Sequence, residues 1–195
     1  MTEGSEFLTR IRKLKWINRW GLSKNLVAEN VMEHSWEVAV IAHLLGLLAR
    51  RNGERVDPAQ LALAGLYHDA TESLTGDLPT PVKYHSPQLQ QAYKALEHEA
   101  VEMLSADLAP DLGAEIRALL SGEHLNEKEA QLLKAADMVA AYLKAEEERD
   151  AGNNSYERPL GYLRERMEKL SCPEVEQLFA EFINIETRSR GPIRE

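Results

Sequence analysis

The sequence predicts an all-α helical bundle, and three observations carry that prediction. Apolar residues recur at three- and four-residue spacings along most of the chain. Runs alternating with period two are nearly absent. The breaks between periodic stretches carry helix-start chemistry, at Asp57-Pro58, Ser86-Pro87, Asn126 with Glu129, and Pro173.

In chain order, Phe7, Ile11, Leu14 and Asn18 mark a first helix, with Arg10, Arg12, Lys13 and Lys15 off the stripe and Arg19-Trp20 closing it. A second helix starts around 29–33 and stops at Gly53, with Val31, His34, Val38, Ile41, Leu45 and Leu48 along one face. Asp57-Pro58 opens a third, expected to run to Glu72. Leu74–Tyr84 holds two prolines and a glycine and reads as an ordered loop. A fourth helix spans 87–106 and a short fifth 110–120. The capping box at Asn126 starts a long sixth helix, to Arg149. Two more, over 156–170 and 173–187, complete an expected total of about seven or eight. No repeat or linker divides the chain, so residues 1–187 form one expected domain and 188–195 a frayed tail.

Composition narrows the function. At 195 residues, 44% hydrophobic and 28% charged, the chain is ordinary globular protein. The single Cys172 excludes an intrachain disulfide and fits a reducing cytoplasm. The start, MTEGSEFLTRIRKLK, has no apolar signal core, and the longest apolar stretch, Val38 to Ala49, falls short of a membrane span of about 20 residues. A net charge of −9 argues against binding a nucleic-acid polymer. Residues 1–24 nevertheless hold six Lys/Arg against two Asp/Glu, a local basic patch suited to one or two phosphates.

The informative residues are ionisable ones on apolar stripes. His34 continues the run Val38, Ile41, Leu45; His68 and Asp69 follow the faces led by Leu61 and Ala62; Asp137 shares a face with Ala130, Leu133 and Ala140. Each is costly to bury without a partner, and one divalent cation serves all four. Two imidazoles and two carboxylates form a donor set able to hold Mn, Fe, Co, Ni or Zn. His68 and Asp69 are expected at a helix edge, diverging by about 100°. Glu72, one turn beyond His68, is placed to take a proton from water. Asp77 lies on the adjoining loop, where Gly76 permits unusual backbone angles and Pro79 and Pro81 fix others. Arg19 can grip a phosphate bidentately, and Trp20 offers a rigid flat wall.

The ordered set His34, His68-Asp69 and Asp137 resembles that of the HD phosphohydrolase superfamily. More closely, LKWINRW (14–20), ENVMEHSWEVAVIAH (29–43), LYHDATESLTGDLPTPVKY (66–84) and KAADMVAAYLKAEEE (134–148) resemble the YfbR-type bacterial 5′-deoxyribonucleotidases. The resemblance implies an HD-type bundle that hydrolyses deoxyribonucleoside 5′-monophosphates with one divalent cation (Co, Mn, Zn, Fe or Mg), as a homodimer. Carried onto this chain, it makes His34, His68, Asp69 and Asp137 metal ligands, with Glu72 and Asp77 catalytic. It makes Arg19 the phosphate-orienting arginine and Trp20 the residue that disfavours a ribose 2′-hydroxyl. Asp77, Leu78, Pro79 and Thr80 become the nucleotide-contacting loop, with His34, Asp69 and Asp137 also reaching the substrate. Two other readings stay open: an HD hydrolase of triphosphates or alarmones, and a silent metal- or nucleotide-binding module. The first needs several basic residues at the site, where Arg19 alone is evident.

Overall fold

In the computed structural model, which describes residues 5–183, the chain is an all-α bundle with no named strand among those residues. Its helices are α1 (Phe7–Ile11), α2 (Val31–Arg51), α3 (Pro58–Tyr67), α4 (Glu72–Thr75), α5 (Thr80–Lys83), α6 (Pro87–Ala106), α7 (Pro110–Ser121), α8 (Glu127–Asp150), α9 (Glu157–Leu170) and α10 (Pro173–Phe182). Seven of these have ten residues or more; the other three are single turns. The expected extension of the last helix to 187 and the tail at 188–195 lie outside the described residues.

The caps expected at Asp57, Ser86 and Asn126 form, and a further capping box, at Asn30, starts α2. Asn30 and Glu33 bond each other's backbone N–H at the start of α2, as do Asn126 and Glu129 at the start of α8. The second oxygen of Glu129 accepts from the Asp57 N–H at 2.8 Å, so the capping box of α8 also ties the start of α3 to that of α8.

Two elements depart from the expectation. The first helix stops early: after α1 comes a 3-10 turn over Arg12–Trp16, and Ile17 is extended. Its backbone is claimed instead by a distant segment, with Val31 N–H donating to the Ile17 carbonyl (3.0 Å) and Arg19 N–H to the Glu29 carbonyl (2.9 Å). Arg19-Trp20 therefore closes no helix. The third helix ends at Tyr67 rather than Glu72, because the His68 ring Nδ1 bonds the Gly65 carbonyl (2.8 Å) and tight turns follow through Ala70 and Glu72. The loop at 74–84 contains the helical turn α5.

Helix α2 packs along α3 and α8, and α9 and α10 cover the far side. The main core joins Val38, Leu45 and Leu48 of α2 to Leu61 of α3, Leu132 and Val139 of α8, Leu160 of α9 and Leu178 of α10. A smaller cluster of Phe7, Ala70, Val101, Leu104 and Leu120 holds α1, α6 and α7 against the turn after α3. By length and composition α2 could cross a membrane, but 56% of its most apolar window is buried inside the bundle, the condition of a core helix.

The α2–α3 crossing depends on Gly65. A Cβ there would stand 2.6 Å from Ala39 Cα and 2.8 Å from Ala39 N, which are backbone atoms with nowhere to go. Gly65→Ala gains helix propensity but forces the helices apart, and a net loss of about 1–3 kcal/mol is expected in denaturant unfolding. A variant as stable as the parent would show that the crossing is not tight.

Candidate metal centre

The crossing sets the functional geometry. His34, with 0% of its surface exposed, projects from α2 towards the end of α3 and the middle of α8. Its Nε2 lies 3.1 Å from Asp137 Oδ1 and 3.7 Å from Asp69 Oδ2, while His68 Nε2 lies 3.0 Å from the same Asp69 oxygen. Donor atoms of His34, His68 and Asp69 all fall within 4.8 Å of one another, and Asp137 joins them against His34. His68 and Asp69 are not on a helix edge as expected; they follow the last turn of α3.

These residues fit a cation. Metal bonds of about 2.0–2.3 Å place adjacent donors roughly 3 Å apart, as found here. The Nδ1 of His68 faces the Gly65 carbonyl, so Nδ1–H donates there and Nε2 is left as the ligand atom. That Nε2 is buried against the Asp69 carboxylate without a well-formed hydrogen bond, an arrangement that a cation between the two would satisfy. Burial pushes the His68 imidazolium down, but the Asp69 carboxylate more than reverses this, leaving it raised to about 9.

Glu72 opens α4, beyond a turn rather than one helical turn along from His68. Its Oε2 is buried without a hydrogen-bond partner. Burial first, then the negative charges of Asp69 and Asp77, push its carboxyl up to about 10. Burial also raises Asp77, against the pull of Arg19. Gly76, at φ 72°, ends α4 and starts the loop through Asp77. Leu78 and Pro79 follow, and Thr80 begins α5. That turn is held by the Pro79 carbonyl, which accepts from the N–H groups of Val82 and Lys83.

Arg19 enters from the segment paired with 29–31. Burial opposes its charge, but Glu29, Asp137, Asp69 and Asp77 together raise its pKa. The Trp20 indole packs against Tyr156, ring centroids 5.2 Å apart. Both Arg19 and Trp20 bond one residue that the sequence analysis passed over, Glu29. Standing just before a capping box, it reads as an ordinary helix-start acid, and no spacing signal marks it.

An all-α bundle that gathers His34 from α2, His68-Asp69 from the turn ending α3, and Asp137 from α8 has the arrangement of the HD phosphohydrolase class. A family model described as "5'-deoxynucleotidase YfbR-like" matches residues 6–185. A 5′-deoxynucleotidase of Yersinia pestis (strain Pestoides F) is 40% identical over 181 residues, covering 92% of this chain and 91% of its own. The chain belongs to the YfbR-like 5′-deoxynucleotidase family. Solved structures agree on the fold. An HD-domain phosphohydrolase from Listeria innocua superposes with a TM-score of 0.80 at 22% identity, covering 95% of this chain and 90% of that one. The cyanophage S-2L HD phosphohydrolase DatZ, bound to dA and one catalytic Zn2+ ion, gives 0.66 at 21% identity, covering 94% and 97%.

The raised Glu72 carboxyl has a consequence for stability. Unfolded, Glu72 ionises near its ordinary value of 4.5; folded and metal-free, it keeps its proton to about 10. The folded state then binds more protons between those values, so this group destabilises the fold increasingly as pH rises. Glu72→Gln should raise the melting temperature of metal-free protein more at pH 8 than at pH 5. Equal shifts at both would remove the carboxyl from this role.

Proposed function

We propose that this protein is a metal-dependent 5′-deoxynucleotidase that hydrolyses deoxyribonucleoside 5′-monophosphates to deoxyribonucleosides and phosphate. One divalent cation, Co, Mn, Zn, Fe or Mg, is held by His34, His68, Asp69 and Asp137. The observation that carries the reading is the convergence of these four side chains beside a buried arginine, in a chain of this family. A bound dication would supply positive charge that screens the phosphoryl oxygens and offsets the carboxylates around Glu72.

The chain's own residues do the rest. Arg19 binds a phosphate oxygen and orients the group. Glu72, ionised once the surrounding negative charge is offset, takes a proton from the attacking water at its buried Oε2. The water oxygen bonds phosphorus as the P–O5′ bond breaks. Asp77, on the loop beside the site, helps the departing O5′ take up a proton. The loop Asp77, Leu78, Pro79 and Thr80 lines the nucleotide side, and His34, Asp69 and Asp137 also border the substrate. Trp20 presents an indole to the sugar, where a 2′-hydroxyl would lose its hydrogen bonds to water.

A panel of nucleotides assayed for phosphate release tests this. Deoxynucleoside monophosphates should turn over only with divalent metal, triphosphates should not, and Asp69→Ala should be inactive. A hydroxyl left unpaired costs about 1–3 kcal/mol, so dAMP should be preferred over AMP by about 5- to 150-fold, and Trp20→Ala should erase that preference. Triphosphate turnover in the same assay would favour the other hydrolase reading instead.

The acidic chain supports a small substrate over a nucleic-acid polymer, the burial of α2 counts against a membrane role, and the lone buried Cys172 supports a cytoplasmic setting. The protein is a homodimer in this reading. Support comes from Met32, Trp36 and Val40, spaced by four along α2 and all exposed, Trp36 by 66%. Trp36→Glu should shift the sedimenting species from dimer to monomer; an unshifted dimer would place the interface elsewhere.

A further inference from the structure

Glu29 is one more carboxylate beside a centre already crowded with Asp69, Asp77 and Asp137, and it is only 8% exposed. Another buried negative charge there is unfavourable unless it is matched. Its Oε2 is matched twice: it accepts from Arg19 Nη1 at 2.8 Å and from Trp20 Nε1 at 3.0 Å. Its Oε1 faces Nδ1 of His34 at 4.0 Å, longer than a hydrogen bond. That Nδ1 is itself buried with no hydrogen-bond partner.

Each contact answers a physical need. Arg19 lies in the field of Asp69, Asp77 and Asp137 and would be drawn onto them. Tied by Nη1 to Glu29, it keeps the rest of its planar fork for a phosphate. Trp20 sits at φ 61°, in the left-handed region that a bulky side chain rarely adopts. The indole N–H bond to Glu29 and the packing on Tyr156 fix the side chain despite that backbone. With Nε2 given to a cation, as proposed, the His34 proton would sit on Nδ1, the nitrogen that faces the Glu29 carboxylate at 4.0 Å.

We infer that Glu29 is a positioning residue whose single carboxylate sets the Arg19 guanidinium and the Trp20 indole in register with the His34 imidazole. The phosphate grip, the sugar wall and one metal ligand are thereby locked to one another. This rests on the roles proposed above for Arg19, Trp20 and His34.

The full-length protein, Glu29→Ala, Glu29→Gln, Arg19→Ala and Trp20→Ala are compared by two readouts. One is affinity for the divalent metal alone, by competition with a chromogenic chelator; the other is kcat/KM for dAMP and for AMP. Loss of an outer carboxylate typically lowers metal affinity about 10- to 100-fold, and Glu29→Ala should do so. It should also raise the KM for dAMP and reduce the dAMP-to-AMP preference. Glu29→Gln should keep the sugar preference, since one amide oxygen can accept both N–H groups, but lose about tenfold in metal affinity. Wild-type metal affinity or wild-type sugar preference in Glu29→Ala overturns the inference. Should Glu29→Ala fail to fold in a thermal melt, Glu29→Gln decides, and unchanged metal affinity there overturns it. If Arg19→Ala and Trp20→Ala leave KM and preference untouched, the reading of the site falls; if they change both while Glu29→Ala does not, only the role of Glu29 falls.

Discussion

A histidine with no exposed surface, His34, is the constraint on which the rest of the structure depends. An imidazole cannot sit in an apolar interior without partners, so whatever surrounds it must bring polar atoms. The end of α3 brings Asp69 and the middle of α8 brings Asp137, both to the same ring nitrogen. For that, three helices must meet closely, which explains the small residues at their contacts. Gly65 faces the backbone of Ala39 across the α2–α3 crossing, and Ala135, Ala136, Ala140 and Ala145 of α8 are buried in the same core. Packing and chemistry are therefore one problem here, because the alanines and glycine that let the helices approach also bring the donor atoms within ligand distance.

Convergence of this kind stores electrostatic cost. Glu72, Asp77 and Asp137 all lie in the field of Asp69, and that charge favours a proton on the His68 imidazole and on the Glu72 carboxyl. A cation that takes His68 Nε2, as proposed, would have to displace the first of these, so its affinity would rise with pH until that imidazole is neutral. The second proton is lost as the surrounding negative charge is offset. The proposed reaction uses Glu72 as a carboxylate, the reverse of the protonation that the crowded cluster favours. A cation held there, as proposed, would in turn stabilise the fold.

The bundle is legible in the sequence because local signals suffice for it: period, caps and prolines mark α2, α6, α7 and α8 within a residue or two. The grouping of His34, His68, Asp69 and Asp137 is legible too, because ionisable residues on apolar stripes stand out without any knowledge of distance. What stays hidden is non-local. The end of the first helix is set by pairing between 17–19 and 29–31, which no periodicity reveals. The end of α3 is set by a side chain, His68, bonding a carbonyl that the helix would otherwise use. Glu29 is hidden for a third reason: its residue type and position match ordinary helix-start chemistry, and only the folded chain shows Arg19 and Trp20 bonded to it.

The arm that carries Arg19 and Trp20 needs an anchor, since a segment with so little regular structure has few bonds of its own. The anchor is α8, the helix that also supplies Asp137. Glu148 accepts from the N–H groups of Leu26 and Val27, Lys144 donates to the Val27 carbonyl and to Glu148, and Asn153 bridges Glu148 and the Lys24 carbonyl. Burial alone would raise the Glu148 carboxyl, yet Lys144, Asn153 and the two N–H groups hold it at about 2, so it is ionised near neutral pH. A buried ion pair contributes little net stability once its desolvation is counted, and two apolar side chains would hold the helix as well. They could not fix the direction of a loop, because apolar contacts have none. Hydrogen bonds to successive backbone groups do, and they determine where the chain re-enters α2 and hence where Glu29 meets Arg19. Eleven residues separate Asp137 from Glu148, or about three helical turns. One helix therefore sets the distance between Asp137 at one point and the root of the segment that carries Arg19 and Trp20 at the other.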